Sequence, residues 1–174
     1  MDAQGNEHTR LDAVDSLIQE LDRATTMITL IDDLSYRRRT NASSSVGAQF
    51  RHNLDFVSSF LKGVRVGRVD YGSRTRDERV ENDRAVAIAQ IEALQISLEQ
   101  MSRSSLLDSV SVRSELDEDV WIPSSVLREL EFVHSHTVHH HALIAEKLSG
   151  FGIAVQNSFG VAPSTLKYWE KQAA

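Results

Sequence analysis

VRVGRVDYGSRTRDERVEN occupies residues 64–82, between two segments with helical periodicity. It holds glycines and charges and has no sustained hydrophobic period. Its length decides how the flanking helices can lie. Extended at roughly 3.3 Å per residue, the link reaches about 60 Å. A helix of about 17–25 residues is a rod of roughly 25–37 Å. The link can therefore cross a bundle from end to end and leave the helices on either side of it parallel. A short loop would have imposed a simple up-down order. Links this long are often functional.

Four long helices are predicted around it. Leu11, Val14, Leu17, Ile18, Leu21, Ala24 and Ile28 recur at three- and four-residue steps, one stripe of an amphipathic helix. That helix is expected from near Thr9 to near Leu34. Ser43, Ser44 and Ser45 are good N-cap residues for a second helix. Its apolar members are Val46, Phe50, Leu54, Val57 and Leu61, and Lys62–Gly63 is its expected end. A third helix starts at Asp83 and carries Ala85, Ile88, Ile91, Leu94, Ile96 and Leu98. Val110 and Val112 then alternate with Ser109, Ser111 and Arg113. This reads as a short strand with EDVWI (118–122) as hairpin partner and Pro123 as its stop. Ser124 or Ser125 caps a fourth helix over Val126–Leu148. Pro163 opens a short amphipathic turn in the tail. The expectation is an all-α fold: a four-helix bundle with a long crossover between helices 2 and 3 and a small β-hairpin before helix 4.

The 174 residues fit one domain, 1–174. A net charge of −6 points away from nucleic acid. The chain has no cysteine, which excludes disulfides, thiolate metal sites and cysteine nucleophiles. No apolar run approaches a membrane span, and the polar start lacks a secretory core, so a cytoplasmic protein is expected.

Four of the seven histidines fall in HTVHHH, residues 136–141. His136 and His140 are four apart and stack on one helix face. The zincin motif has that spacing but needs Glu beside the first His, where Thr137 stands. Leu130, Val133, Leu143, Ile144 and Leu148 surround the His136/His140 line, so this face points inward. Buried imidazoles need partners or a metal; both readings are open for the pair alone. His52, near the start of the second helix, supplies a third imidazole if helices 2 and 4 are antiparallel. Three neutral imidazoles from two helices would leave positions open for water or substrate. His8 is expected in a disordered start, and His134, His139 and His141 at the surface or behind the ligands.

SVGAQFRHNLDF (45–56) and RELEFVHSHTVHHHALIA (128–145) resemble the DinB/YfiT-like metal-binding four-helix bundles. That family's signature, one histidine early in helix 2 and an HxxxH pair in helix 4, falls here on His52, His136 and His140. VDYGSRTRDERVENDR (69–84) and FGVAPSTLKYW (159–169) resemble a bacterial branch of DinB-like proteins, and the likeness covers nearly the full chain. It implies an up-down-down-up order, a divalent metal (zinc or nickel, with iron in related domains) and a homodimer. Relatives of this kind include S-transferases that use bacillithiol or mycothiol and a mycothiol-dependent maleylpyruvate isomerase.

The function expected is metal-dependent activation of a low-molecular-weight thiol or water. Without cysteine in the chain, any thiol comes from a co-substrate. Glu129, on the ligand face, reads either as a catalytic base or imidazole-orienting partner, or as a surface carboxylate paired with Arg128 or Lys147. Asp55 has the same two readings, with Arg51 as its i, i+4 partner. Tyr71, Arg74 and Arg76 are substrate-binding candidates in the crossover; either arginine could clamp a carboxylate. The opposing reading is a solvated linker. At the level of the whole protein the alternative is a non-catalytic metal-binding stress-response protein or structural dimer.

Overall fold

A computed structural model describes residues 3–39, 44–102 and 108–173, the first six by backbone alone. In chain order the elements are α1 (Ala3–Leu30), α2 (Asp33–Arg37), α3 (Val46–Val66), β1 (Arg68–Val69), α4 (Glu78–Asn82), α5 (Arg84–Ser102), β2 (Ser109–Arg113), β3 (Trp121–Ser125), α6 (Val126–Gly150) and α7 (Pro163–Ala173). The described chain is mostly helical, with one small three-stranded sheet.

The long helices pack in a ring of neighbours: α1 on α5 and α6, and α3 on the same two. Side-chain partners give their directions. Gln49, Asn53 and Phe56 of α3 meet His140, Thr137 and Phe132 of α6 in that order, so these two helices are antiparallel. Arg84 of α5 reaches the carbonyls of Ile28 and Ile31, while Gln95 reaches Asp22, so α1 and α5 are antiparallel too. The interior they share is apolar and fully buried at Leu17, Leu21, Ile28, Phe50, Leu54, Phe60, Ile91, Leu98, Leu130 and Ile144. Burying side chains of this size contributes roughly 1.5–3 kcal/mol each before the entropy cost of ordering them.

The first helix departs from its expected bounds. It begins at Ala3, so His8 lies on it rather than before it, although the His8 side chain is outside the described residues. It stops at Leu30 instead of Leu34, because the Asp32 side chain accepts a hydrogen bond from Ser35 N and caps a new short helix, α2. The α3 cap is Ser45, whose hydroxyl accepts from Ala48 N; Ser43 lies outside the described residues.

Helix α3 also runs through Gly63, its expected end, to a left-handed cap at Gly67 (φ 72°). Gly63 serves packing instead. A Cβ there would lie 2.6 Å from Arg68 O and 2.6 Å from Val69 Cα. The chain folds straight back over the end of its own helix, and only a bare Cα leaves room.

That fold-back begins the crossover, which is anchored at both ends while its middle turn, including Gly72, Ser73, Thr75 and Arg76, is exposed. Strand β1 pairs in parallel with β2, and β2 with β3 antiparallel, Val110 opposite Ser124. The hairpin was legible in the sequence; β1, two residues long, was not. Pro123 sits inside β3 rather than stopping it. The strand order β1-β2-β3 puts it on an edge strand, where a missing N–H is tolerated. Val69, Tyr71 and Val80 are buried. Asp77 caps α4 by accepting from Arg79 N. Tyr36 of α2 donates its hydroxyl to Val80 O at 2.7 Å. Glu81 pairs with Arg39 and Arg51. The tail forms α7, whose side chains are not buried.

Among the described residues no helix is long and apolar enough to cross a membrane. Gly63→Ala should lower stability by about 1–3 kcal/mol, the cost of overpacking a tight contact, visible as a lower urea midpoint. An unchanged midpoint would mean that β1 does not press on the helix end.

Candidate metal centre

Helix α3 presents a residue to α6 every three or four positions, and His52 is one of them. Helix α6 answers with His136 and His140. One ring nitrogen from each of the three lies within 4.8 Å of the others. The ring centroids are 5.3 Å apart for His52–His136, 4.6 Å for His52–His140 and 4.4 Å for His136–His140. His140 is buried and the other two are half-buried.

The residue after each of two histidines fixes the register between the helices. Thr137 Oγ1 lies 3.0 Å from Asn53 Oδ1 and 2.8 Å from Val133 O, and both side chains are fully buried. Thr137, the residue standing where a zincin has its glutamate, thus fastens α6 to α3. Gln49, one turn before His52, accepts a 2.6 Å hydrogen bond from His140 Nδ1 through its Oε1. An amide oxygen only accepts, so the proton sits on Nδ1 and the Nε2 lone pair is free. This is the arrangement by which a partner sets the tautomer of a ligating histidine. The sequence reading missed Gln49, although its i, i+3 spacing from His52 was a usable signal.

An aromatic wall closes one side. Phe56 stacks on His136 at 3.9 Å, Tyr71 stacks on Phe56 at 5.1 Å, and Phe132 lies 5.9 Å from His136. Burial in this wall disfavours imidazolium. It pushes His52 from the usual 6.5 down to about 4, with Arg74 and Arg51 adding repulsion. Burial and then His52 bring His136 to about 4, and burial and then His136 bring His140 to about 3. All three are neutral near pH 7, with lone pairs available. His136 Nε2 is buried and has no hydrogen-bond partner. A buried polar atom without a partner is costly. This orphan, within a cluster of neutral imidazoles, is what a divalent ion would satisfy; the residues present fit one.

The other candidates fall around this centre. Tyr71 is buried and donates to Glu129 Oε2 at 2.9 Å; burial and the Glu129 charge push its phenol well up. Glu129 also accepts from Ser124 at 2.6 Å and Arg128 at 3.2 Å. It is 2% exposed, so it is not a surface carboxylate, although the pairing with Arg128 is present. Seven residues of helix separate it from His136, about 10 Å of rise, and its contacts hold the crossover tyrosine in place. Asp55 pairs with Arg51 at 3.3 Å. The Arg74 guanidinium lies over the Phe56 ring at 4.7 Å, and Arg76 is exposed two residues further on.

His141 corrects an expectation. It is fully buried, on the α1 side of α6. Its Nδ1 donates to Glu20 Oε2 at 3.1 Å and its ring stacks on Phe159 at 4.4 Å. Gly160 (φ 75°) allows this: a Cβ there would lie 2.4 Å from Ala142 N, so only glycine brings the tail this close. His139 is exposed and His134 half-buried.

Comparison with known proteins places the chain in no family. No family model and no solved structure matches it. FK506-binding protein 5 of Rhizopus delemar is 33% identical over 108 residues, 60% of this chain and 28% of its own length. The chain therefore spans little more than a quarter of that curated relative.

The lowered histidines have a signed consequence. Below 6.5 the unfolded chain takes up protons that the folded centre refuses until about pH 4. The unfolded state then binds more protons, so stability falls as the pH is lowered across that window, and these groups add no slope above it. Metal-free protein should show a falling melting temperature from pH 6.5 to 4.5, and His52→Phe should flatten the profile. Equal slopes in both proteins would mean that His52 is not held neutral.

Proposed function

We propose that this protein is a divalent-metal-binding protein of the DinB/YfiT-like type, with the four long helices in up-down-down-up order. The reading is supported by the antiparallel pairs α3/α6 and α1/α5 and by the convergence of His52, His136 and His140. The single observation that carries the metal is the buried, unpartnered His136 Nε2 among neutral imidazoles.

His52, His136 and His140 would hold the ion, zinc or nickel first and iron as the further candidate. Bound there, a divalent ion lowers the pKa of a thiol or water that joins it. The chain's own contribution is positional. Gln49 holds the His140 tautomer, the Asn53–Thr137 pair holds the register, and Phe56 and Phe132 exclude water from one side. Among the described residues no carboxylate joins the three histidines in the cluster. Such a centre leaves room for an exogenous ligand, and the absence of cysteine means that a reacting thiol is supplied as co-substrate. The proposed activity is thiol S-transfer, or hydrolysis by activated water. Glu129 is proposed as a positioning residue that acts through Tyr71. A homodimer and a cytoplasmic setting belong to the same reading. The alternative, a non-catalytic metal-binding protein, would bind the same ion without turning over a thiol. The activity named for the fungal relative is not carried over, since the match covers 28% of that protein.

Purified protein should contain close to one divalent ion per chain and show metal-dependent transfer from one of several low-molecular-weight thiols. His52→Ala should abolish binding at micromolar zinc and His139→Ala should leave it unchanged. Gln49→Leu should weaken zinc roughly 10-fold or more, as loss of a ligand-orienting partner does. Zinc affinity unchanged in His52→Ala, measured by competition with a chromophoric chelator, would remove the three-histidine centre.

A further inference from the structure

The charge around the centre is unbalanced. Three neutral imidazoles leave both positive charges of a divalent ion uncompensated. Two further cations stand nearby. Arg74 lies over Phe56, which stacks directly on His136. Arg76 follows with a φ of 52°, the one described non-glycine residue in the left-handed region. Few side chains adopt that conformation without a compensating role.

Ion pairing elsewhere in this region is nearly complete. Arg51 pairs with Asp55 and Glu81, Arg79 with Asp77, and Arg113 with Asp70 and Glu118. Among the described residues no carboxylate pairs with Arg74 or Arg76. Both border a cavity of about 300 Å³, with the already neutralised Arg113 in its wall. Asp70, Glu115 and Glu118 border it too; Asp70 and Glu118 are held by Arg113, and none of the three pairs with Arg74 or Arg76. That volume is at the small end of ligand sites. Arg74 and Arg76 thus border the cleft with no ion pair among the described residues, and a planar guanidinium suits a carboxylate.

We propose that the turn of residues 72–77 is an anion-recognition site, in which Arg74 and Arg76 hold a carboxylate of the small molecule that the histidines act on. This deepens the metal-centre reading and rests on it for the identity of the substrate, now a small carboxylate-bearing compound. The arginine site itself is testable without metal.

The probe is succinate, titrated into metal-free protein by calorimetry, with circular dichroism confirming each fold. Wild type should bind succinate, the double variant Arg74→Gln/Arg76→Gln should bind at least 10-fold more weakly, and Arg74→Lys should retain part of the affinity. Arg76 is exposed, so Arg76→Gln decides the matter if the double variant does not fold; a loss of several-fold is then expected. No succinate binding by wild type, or binding unchanged in the variants, overturns the proposal. Cobalt titration of the same proteins separates the two readings. Arg74→Gln should bind cobalt at least as tightly as wild type, since a repelling cation is gone. Wild type that binds succinate but no cobalt would overturn the metal centre and leave the anion site standing.

Discussion

Placing three imidazoles, one buried and two half-buried, on one seam between two helices is the constraint on which much of this structure depends. A neutral imidazole inside a protein costs stability when one of its nitrogens is left unsatisfied. Here one nitrogen, His140 Nδ1, has Gln49, and another, His136 Nε2, is buried with nothing. The seam nonetheless holds a defined register, because the Asn53–Thr137 contact sits beside the histidines and is itself fully buried. A half-satisfied polar cluster in apolar surroundings is the feature on which the proposed ligand site rests.

The rest of the fold supplies the walls. The fold-back at Gly63 starts the crossover beneath α3, β1 pins it to the hairpin, and the Tyr71–Glu129 bond fixes its middle. Tyr71 then backs Phe56, and Phe56 backs His136. The segment that joins α3 to α5 is therefore also one side of the centre. Its exposed turn places two unpaired arginines at the rim, whereas its buried half reads as core.

Much of this was legible in the sequence where the signal was local and periodic. The i, i+4 spacing of His136 and His140 on the stripe of Leu130, Val133 and Ile144 was enough to aim them inward, and the long link was enough to allow parallel neighbours. Contacts between distant segments were not legible. His141 looked like a bystander because nothing local says that Phe159 and Gly160 return to cover it. Gly63 looked like a helix stop because a packing glycine and a capping glycine are the same letter. Asp32 broke the first helix early, since capping by a short polar side chain outweighed the few apolar residues beyond it. Glu129 was read both as a ligand-face residue and as a surface carboxylate; its burial could not be read locally, because its partners Tyr71 and Ser124 come from other elements.

X-ray absorption at the zinc edge tests the central claim most directly. Protein loaded with one equivalent of zinc should show three imidazole nitrogens at about 2.0 Å together with an exchangeable oxygen ligand, the latter displaced by an added small thiol. A spectrum with fewer than three imidazoles, or with a filled coordination sphere that added thiol does not change, would contradict it.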